Sequence, residues 1–166
     1  MKTRLLVLVV AVMTAVAVQP LGAANATSSV TVSVTVSALA KLTLSASTLT
    51  FPNADPDSTP SIPANEGAIT ITAKAKTATA GSVTLTVLAA NDLKSGTDTI
   101  TIGNVTWAAS GTGFAAGTMN KTTAQSVGTW TGSGNRTGTQ TYALANSWAY
   151  PTGNFSTTAT YTLTAP

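Results

Sequence analysis

The sequence predicts an all-β fold, a two-sheet β-sandwich of roughly eight or nine strands, because short alternating segments follow one another with turns between them. Apolar and polar residues alternate along most of the chain, as in the segment VTLTV at residues 83–87, which is typical of strands with one buried face. Only 8% of the residues are charged, and no stretch has the Leu, Glu and Lys content of a surface helix. The abundant Thr and Val favour the pleated surface of a sheet.

The start of the chain has the pattern of a targeting segment. Lys2 and Arg4 precede a short apolar run, which is followed by the small-residue sequence AANA. This order predicts a signal peptide over residues 1–26, because the apolar run is too short to span a bilayer comfortably. We therefore expect a mature chain, residues 27–166, that forms a single domain and is secreted, periplasmic or at the cell surface, without membrane insertion after signal removal.

The first strand pattern is unusually long. Every even position of SVTVSVTVSALAKLTLSA, residues 29–46, is Val, Leu or Ala. A straight strand of this length would reach about 55 Å, whereas ordinary strands span about 17 to 20 Å. Either the segment bends within residues 37–41 and its first half pairs with the C-terminal strand of the same molecule, or the first half serves a neighbouring molecule. In the second case the candidate strand-exchange residues are Val30, Val32, Val34 and Val36.

The middle of the chain predicts a loop and then three strands. Four prolines between residues 52 and 67 predict a loop that cannot be a central strand. The next segment alternates Ile69, Ile71 and Ala73 with polar residues, and a second alternating strand covers residues 83–89. We expect residues 98–107 to pair with that second strand. A β-bulge near Gly103 would keep its apolar residues on one face.

The last third predicts a long connection over residues 108–125, then three short strands. Val127 and Trp130 belong to the first of these strands, and the glycine-spaced turn TGSGNRTG follows it. Tyr142 and Leu144 share one face of the second strand. The final strand follows a turn at YPTGN, and its apolar residues from Phe155 onward share one phase.

The chain has no His and no Cys, which removes the usual general base, the usual nucleophile and the softer metal ligands. We therefore predict no enzyme, no catalytic or metal-binding residue and no cofactor. Asp55 and Asp57 lack the glycine and distal Glu of a recognised calcium loop, and the remaining carboxylates fall at turns or strand ends. The basic residues of the mature chain are scattered along the sequence, which argues against a nucleic-acid partner.

The aromatic residues divide into two groups. Trp107, Trp130 and Tyr142 are in phase with apolar neighbours and are expected in the core. Trp148 and Tyr150 flank a turn. Together with Arg136 in the turn TGSGNRTG, these two residues are the candidate ligand surface of an alternative function, a carbohydrate- or ligand-binding β-sandwich module.

The order of these parts also carries a family resemblance. An opening VTVSVTVSALAKLTLSASTLTF, a Pro-rich loop, the strand AITITAKA and a closing YPTGNFSTTATYTLTAP resemble the secreted spore coat protein U family and the related archaic chaperone/usher pilins. The "small-Leu-x-Phe" segment of those families corresponds here to Leu49-Thr50-Phe51, and their final turn to Gly153-Asn154-Phe155. The chain departs from them in lacking the usual disulfide, and residues 130–150 contain no family motif.

The resemblance implies an incomplete immunoglobulin-like sandwich that accepts a strand from the next subunit. The N-terminal segment, residues 27–37, would be the donated strand, and its valines would fill a groove of the neighbour. The expected function is then a non-enzymatic structural subunit of a cell-surface appendage or coat, similar to a pilin. Its expected partners are further copies of itself or a periplasmic chaperone, with a glycan as a further candidate.

Overall fold

The computed structural model describes residues 25–166, which are all-β, with antiparallel strands and no α-helix among them. The predicted signal peptide, residues 1–26, lies outside the described residues except for its last two. Residues 35–166 form one compact unit. Residues 25–34, described by themselves, contain no strand, and every one of them is exposed.

The described residues contain ten strands, three of them only two or three residues long, and one short 3-10 helix at Ile102–Asn104. The strands are β1 (Leu39–Leu44), β2 (Ser61–Lys76), β3 (Ser82–Ala89), β4 (Leu93–Ser95), β5 (Asp98–Ile100), β6 (Val105–Ser110), β7 (Gly117–Thr118), β8 (Gln125–Thr131), β9 (Gly134–Ala145) and β10 (Ala159–Thr164).

The strands form two larger sheets and a hairpin. The order is β1-β2-β9-β6-β7 in the five-stranded sheet and β10-β3-β8 in the three-stranded sheet, while β4 and β5 pair with each other. Buried side chains of both larger sheets form one hydrophobic core, with Ile71 and Leu85 fully enclosed. This arrangement is compatible with a β-sandwich.

The alternation read from the sequence is confirmed in the central strands. Ile69, Ile71 and Ala73 on β2 are buried, whereas Lys74 and Lys76 are exposed. Each alternate residue of β3 from Val83 to Ala89 is also buried. The large aromatic residues expected in the core lie there, namely Trp107, Trp130 and Tyr142.

The prediction that the Pro-rich segment is a loop throughout, and cannot be a central strand, is wrong for its last part. Strand β2 begins at Ser61 and lies between β1 and β9, although it contains Pro63. The pairing with β9 breaks between Pro63 and Ala68, so the strand changes register beside the residue that has no N–H to donate. Ile62, which precedes this break, is buried, so this part of the strand also packs against the core.

The expected β-bulge near Gly103 is a 3-10 helix instead. This helix takes up the extra residue, and it leaves Ile100, Ile102, Val105 and Trp107 all buried, as the sequence predicts. The expected pairing of residues 98–107 with the strand at 83–89 is wrong. Strand β3 pairs with β8 and β10, whereas β6 pairs with β7 and β9.

The glycine-spaced turn is also shorter than predicted. Only Gly132 and Ser133 separate β8 from β9, and Gly132 has a φ of 75°. This left-handed conformation suits glycine in the short connection by which the chain passes from one larger sheet to the other. Arg136 therefore lies in β9, where it pairs with Ala73, and not in a loop.

We predict that Gly117→Ala destabilises the fold. Gly117 pairs with Trp107, and a Cβ placed on it would lie 2.7 Å from Cη2 of that indole. Such overpacking costs about 1 to 3 kcal/mol of unfolding free energy. The matched control is Gly103→Ala, whose Cβ would meet nothing closer than 3.8 Å. Urea unfolding measures both variants, and equal losses of stability would contradict the packing argument.

Candidate strand-exchange site

The sheet edges differ in how they are covered. Strand β7 lies on the outer side of β6, and residues 113–115 lie on the outer side of β8, where Ala115 N donates to Val127 O at 2.8 Å. Among residues 25–166, which the structure describes, β1 has β2 as its only strand partner, and β10 has only β3. Because β1 also lies beside β10, both sheets have their open edges on the same side.

The main-chain groups at the open edge of β10 can be assigned. Ala90 N donates to Thr158 O at 2.8 Å, so the main chain of residue 158 faces β3. Main-chain groups of successive residues in a strand point alternately to its two sides. Tyr161 and Leu163 therefore direct their N–H and C=O groups toward the open edge, and unpaired groups of this kind are a template for another strand.

Apolar side chains line the same edge. Each alternate residue of the C-terminal strand and the residue after it is half-buried, and two residues of β1 match them. These side chains pack against the core but, unlike those of β3, stay partly exposed. They are Ala159, Tyr161, Leu163 and Ala165 on the β10 side and Leu42 and Leu44 on the β1 side.

The N-terminal segment, residues 27–37, carries a comparable row. Val30, Val32 and Val34 are 85%, 88% and 84% exposed, and Val36 is 68% exposed. Residues 25–38 belong to no strand. Four valines at a spacing of two match the four half-buried positions from residue 159 to 165 in number and spacing. The segment thus has the alternating apolar pattern of a β-strand but is not part of a sheet in the described structure.

A buried polar cluster lies beneath the open edge. Gln140 of β9 is fully buried, and its Oε1 accepts hydrogen bonds from the Tyr142 hydroxyl at 2.5 Å and the Tyr161 hydroxyl at 2.8 Å. The two hydroxyls also contact each other. Burial raises the pKa of Tyr142, and the neighbouring Tyr161 raises it further; burial also raises the pKa of Tyr161. Since β9 and β10 belong to different sheets, the cluster ties the open edge strand to the opposite sheet.

Sequence reasoning missed this cluster, although one signal was present. Gln140 has the same phase as Tyr142 and Leu144, so it is a polar residue on an apolar face. A buried polar side chain needs partners, and the nearest aromatic hydroxyl lies two residues away. The second partner, Tyr161, follows only from the sheet arrangement.

The three residues of the candidate ligand surface do not form one surface. Arg136 lies near the start of β9, Trp148 lies beyond its end, and nine residues of strand between them span about 30 Å. Trp148 is 71% exposed and donates from Nε1 to Asp57 Oδ1 at 3.1 Å. The Tyr150 hydroxyl accepts from Asn104 Nδ2 and donates to the main chain. Glycan binding at these residues stays a prediction.

The described residues give few starting points for other chemistry. Within 25–166, no three His, Cys, Asp or Glu side chains are grouped so that they could hold a metal ion. The same part of the chain has no helix of the length and apolarity needed to cross a membrane. Comparisons with protein-family models, with curated proteins and with solved structures found no match for the chain.

We predict that the tyrosine cluster makes the fold sensitive to alkaline pH. A raised pKa means that the folded chain keeps a phenolic proton that the unfolded chain loses near pH 10, so this stabilisation is complete below about pH 10 and falls as pH rises beyond it. Tyr161→Phe removes one such group and should flatten the dependence. Urea unfolding at about pH 9 and about pH 11 measures the slope, and identical slopes for both proteins would contradict the prediction.

Proposed function

We propose that the chain is a secreted, non-enzymatic structural subunit of a cell-surface appendage or coat, and that it assembles by strand exchange. The N-terminal segment of one copy adds a strand to β10 of the next copy. The observation that supports this most strongly is the exposed row Val30, Val32, Val34 and Val36 in a chain whose β10 edge is open. Addition of a strand to an exposed sheet edge is a general mode of peptide recognition.

The proposed fold is an immunoglobulin-like sandwich whose second sheet is open at β10. The order β1-β2-β9-β6 supplies four strands of one sheet, and β10-β3-β8 supplies three strands of the other. A further strand beside β10 would extend the second sheet to four strands and cover its open edge. The donated segment supplies that strand, with its valines above the half-buried row of β10 and β1.

Burial of the valines provides the driving force for this addition. A valine side chain contributes about 1.5 to 3 kcal/mol when it passes from water to a fully buried position. Each main-chain hydrogen bond to the β10 edge adds about 0.5 to 1.5 kcal/mol. The same edge is an aggregation hazard before assembly, so a periplasmic chaperone that covers it is a proposed partner.

We predict that Val32→Asp/Val34→Asp abolishes assembly. The substitutions place two carboxylates on the face that has to be buried, and burial of an unpaired charge is strongly unfavourable. The matched control is Thr31→Asp/Ser33→Asp, which adds the same charge to the opposite face of the same segment. Light scattering and gel filtration of the mature protein should show polymers for the control and monomers for the valine variant.

Equal assembly of both variants would contradict donation of the even face. Loss of assembly in both would contradict the one-sided burial on which the proposal rests. Circular dichroism of each variant checks that the body remains folded, and we expect no change because all four positions are exposed.

We predict that the donated strand runs antiparallel to β10, because antiparallel pairing is the more stable of the two. In the register that aligns the two rows, Val30 lies opposite Ala165 and Val36 opposite Ala159. The chain has no cysteine, so any disulfide that forms must join cysteines introduced by substitution. Val30→Cys/Ala165→Cys should give disulfide-linked ladders under oxidation, since directly opposed Cα atoms lie within disulfide reach. Ladders from Val30→Cys/Ala159→Cys instead would indicate a parallel strand.

A further inference from the structure

The fold gathers lysines that are separated in the sequence. Lys41 and Lys74 are directly opposed partners in the pairing of β1 with β2, and Lys76 lies two residues further along β2, opposite Leu39. All three lysines are exposed. Arg136 lies near the same end, where it pairs with Ala73. These four residues are scattered along the sequence, but antiparallel pairing brings them to one end of the sheet, which we name the cationic end.

Carboxylates lie at the other end. The loop that carries Asp55 and Asp57 lies beside the C-terminal end of β9, since Asn146 Nδ2 donates to Ala54 O and Thr59 O at 3.0 Å each. Both aspartates are exposed. We name this the acidic end. It also includes Glu66, Asp92 and Asp98, together with Lys94 and Lys121.

The two ends cannot neutralise each other within one molecule. Asn135, beside Lys74, and Ala145, beside the acidic loop, are ten residues apart on β9, which is about 33 Å. The Debye length at physiological salt is about 8 Å, so the fields of the two ends are largely independent. Among the described residues, Lys121 and Asp92 form the one ion pair. The opposed Lys41 and Lys74 repel each other without a carboxylate partner to offset the cost.

We propose that the cationic end of one copy docks on the acidic end of the next copy. This inference deepens the proposed function and rests on it for the geometry of the assembly. The interface partners are Lys41, Lys74 and Lys76 on one side and Asp55, Asp57 and Asp98 on the other. Charge complementarity of this kind speeds encounter and suppresses wrong orientations.

The geometry of strand donation agrees with this docking. The N-terminal segment joins its own body at Leu39, which lies at the cationic end. When the segment runs antiparallel to β10 of the acceptor, Val36 lies near Ala159, which pairs with Ala89 at the acidic end. The donor's cationic end then meets the acceptor's acidic end. A parallel strand brings two cationic ends together, as in a reciprocal dimer.

Electrostatic docking therefore selects an open head-to-tail filament over a closed dimer. Head-to-tail contacts join two different surfaces and propagate, whereas a twofold dimer joins like surfaces and closes. Like charges at the twofold contact oppose closure. The charges thus determine the polarity and rate of assembly, while the valines hold the assembled copies together.

The test uses charge reversal with a matched swap. Lys74→Glu/Lys76→Glu should slow assembly of the mature protein by about tenfold at low salt and remove most of its salt dependence. A quadruple variant that also carries Asp57→Lys/Asp98→Lys has the wild-type net charge. Its six interface residues again carry opposite net signs on the two sides, although more weakly than in the wild type, so its rate should recover in part. Light-scattering rates at about 50 mM and about 500 mM NaCl measure each protein. Wild-type rates and salt dependence in the double variant would overturn the proposal.

A second measurement separates this inference from strand exchange itself. Val32→Asn/Val34→Asn removes the apolar face without adding charge, so weak association of its folded monomers reports on the ends alone. Their second virial coefficient should indicate attraction at low salt, repulsion after Lys74→Glu/Lys76→Glu, and attraction again in the swap background. Repulsion in the starting variant, or tight Lys74-dependent binding of polyphosphate without self-attraction, would overturn docking between copies. The Val32→Asp/Val34→Asp result decides strand exchange separately.

Discussion

The proposed assembly depends on one constraint: the polar main-chain groups of a strand point to both of its sides, and on each side they need another strand, a side chain or water as hydrogen-bond partner. In the described part of the chain, β10 has strand partners only on the β3 side, and Tyr161 and Leu163 direct their polar main-chain groups to the other side. The edges on the far side of the two sheets have covers, β7 on β6 and residues 113–115 on β8. The chain therefore blocks the edges that face away from β10 and leaves available the edge that a partner can complete.

The core beneath this edge holds β10 in place before another copy binds in the proposed assembly. The Tyr161 hydroxyl on β10 donates to Gln140 Oε1 on β9, so a polar contact crosses from the three-stranded sheet to the five-stranded sheet. Side chains of the edge row are only half-buried, yet they pack on residues that are fully enclosed. In the proposed assembly the central strands hold the sandwich together, and a donated strand would add stability without having to organise the core.

Local patterns predict much of this fold, because alternation in β3 and in the second half of β2 is imposed by one buried face. The all-β class, the buried aromatics and the apolar valines of the N-terminal segment follow from such patterns. Features that depend on which strands are neighbours do not follow from local patterns. These features are the pairing of β6 with β9, the position of Arg136 in a strand, the Gln140 cluster and the cationic end. Pro63 shows the limit of single-residue rules, since a register change beside it lets a central strand contain a proline.

Amide hydrogen exchange at the β10 edge tests the central claim most directly. In assembled protein, the account predicts that the N–H groups of Tyr161 and Leu163 are strongly protected, whereas in the monomeric Val32→Asn/Val34→Asn variant they exchange rapidly. Thr160 and Thr162 face β3 and serve as internal controls that stay protected in both states. Rapid exchange of Tyr161 and Leu163 in the assembled protein, or equal protection in the monomer, would contradict the claim that another copy completes this edge.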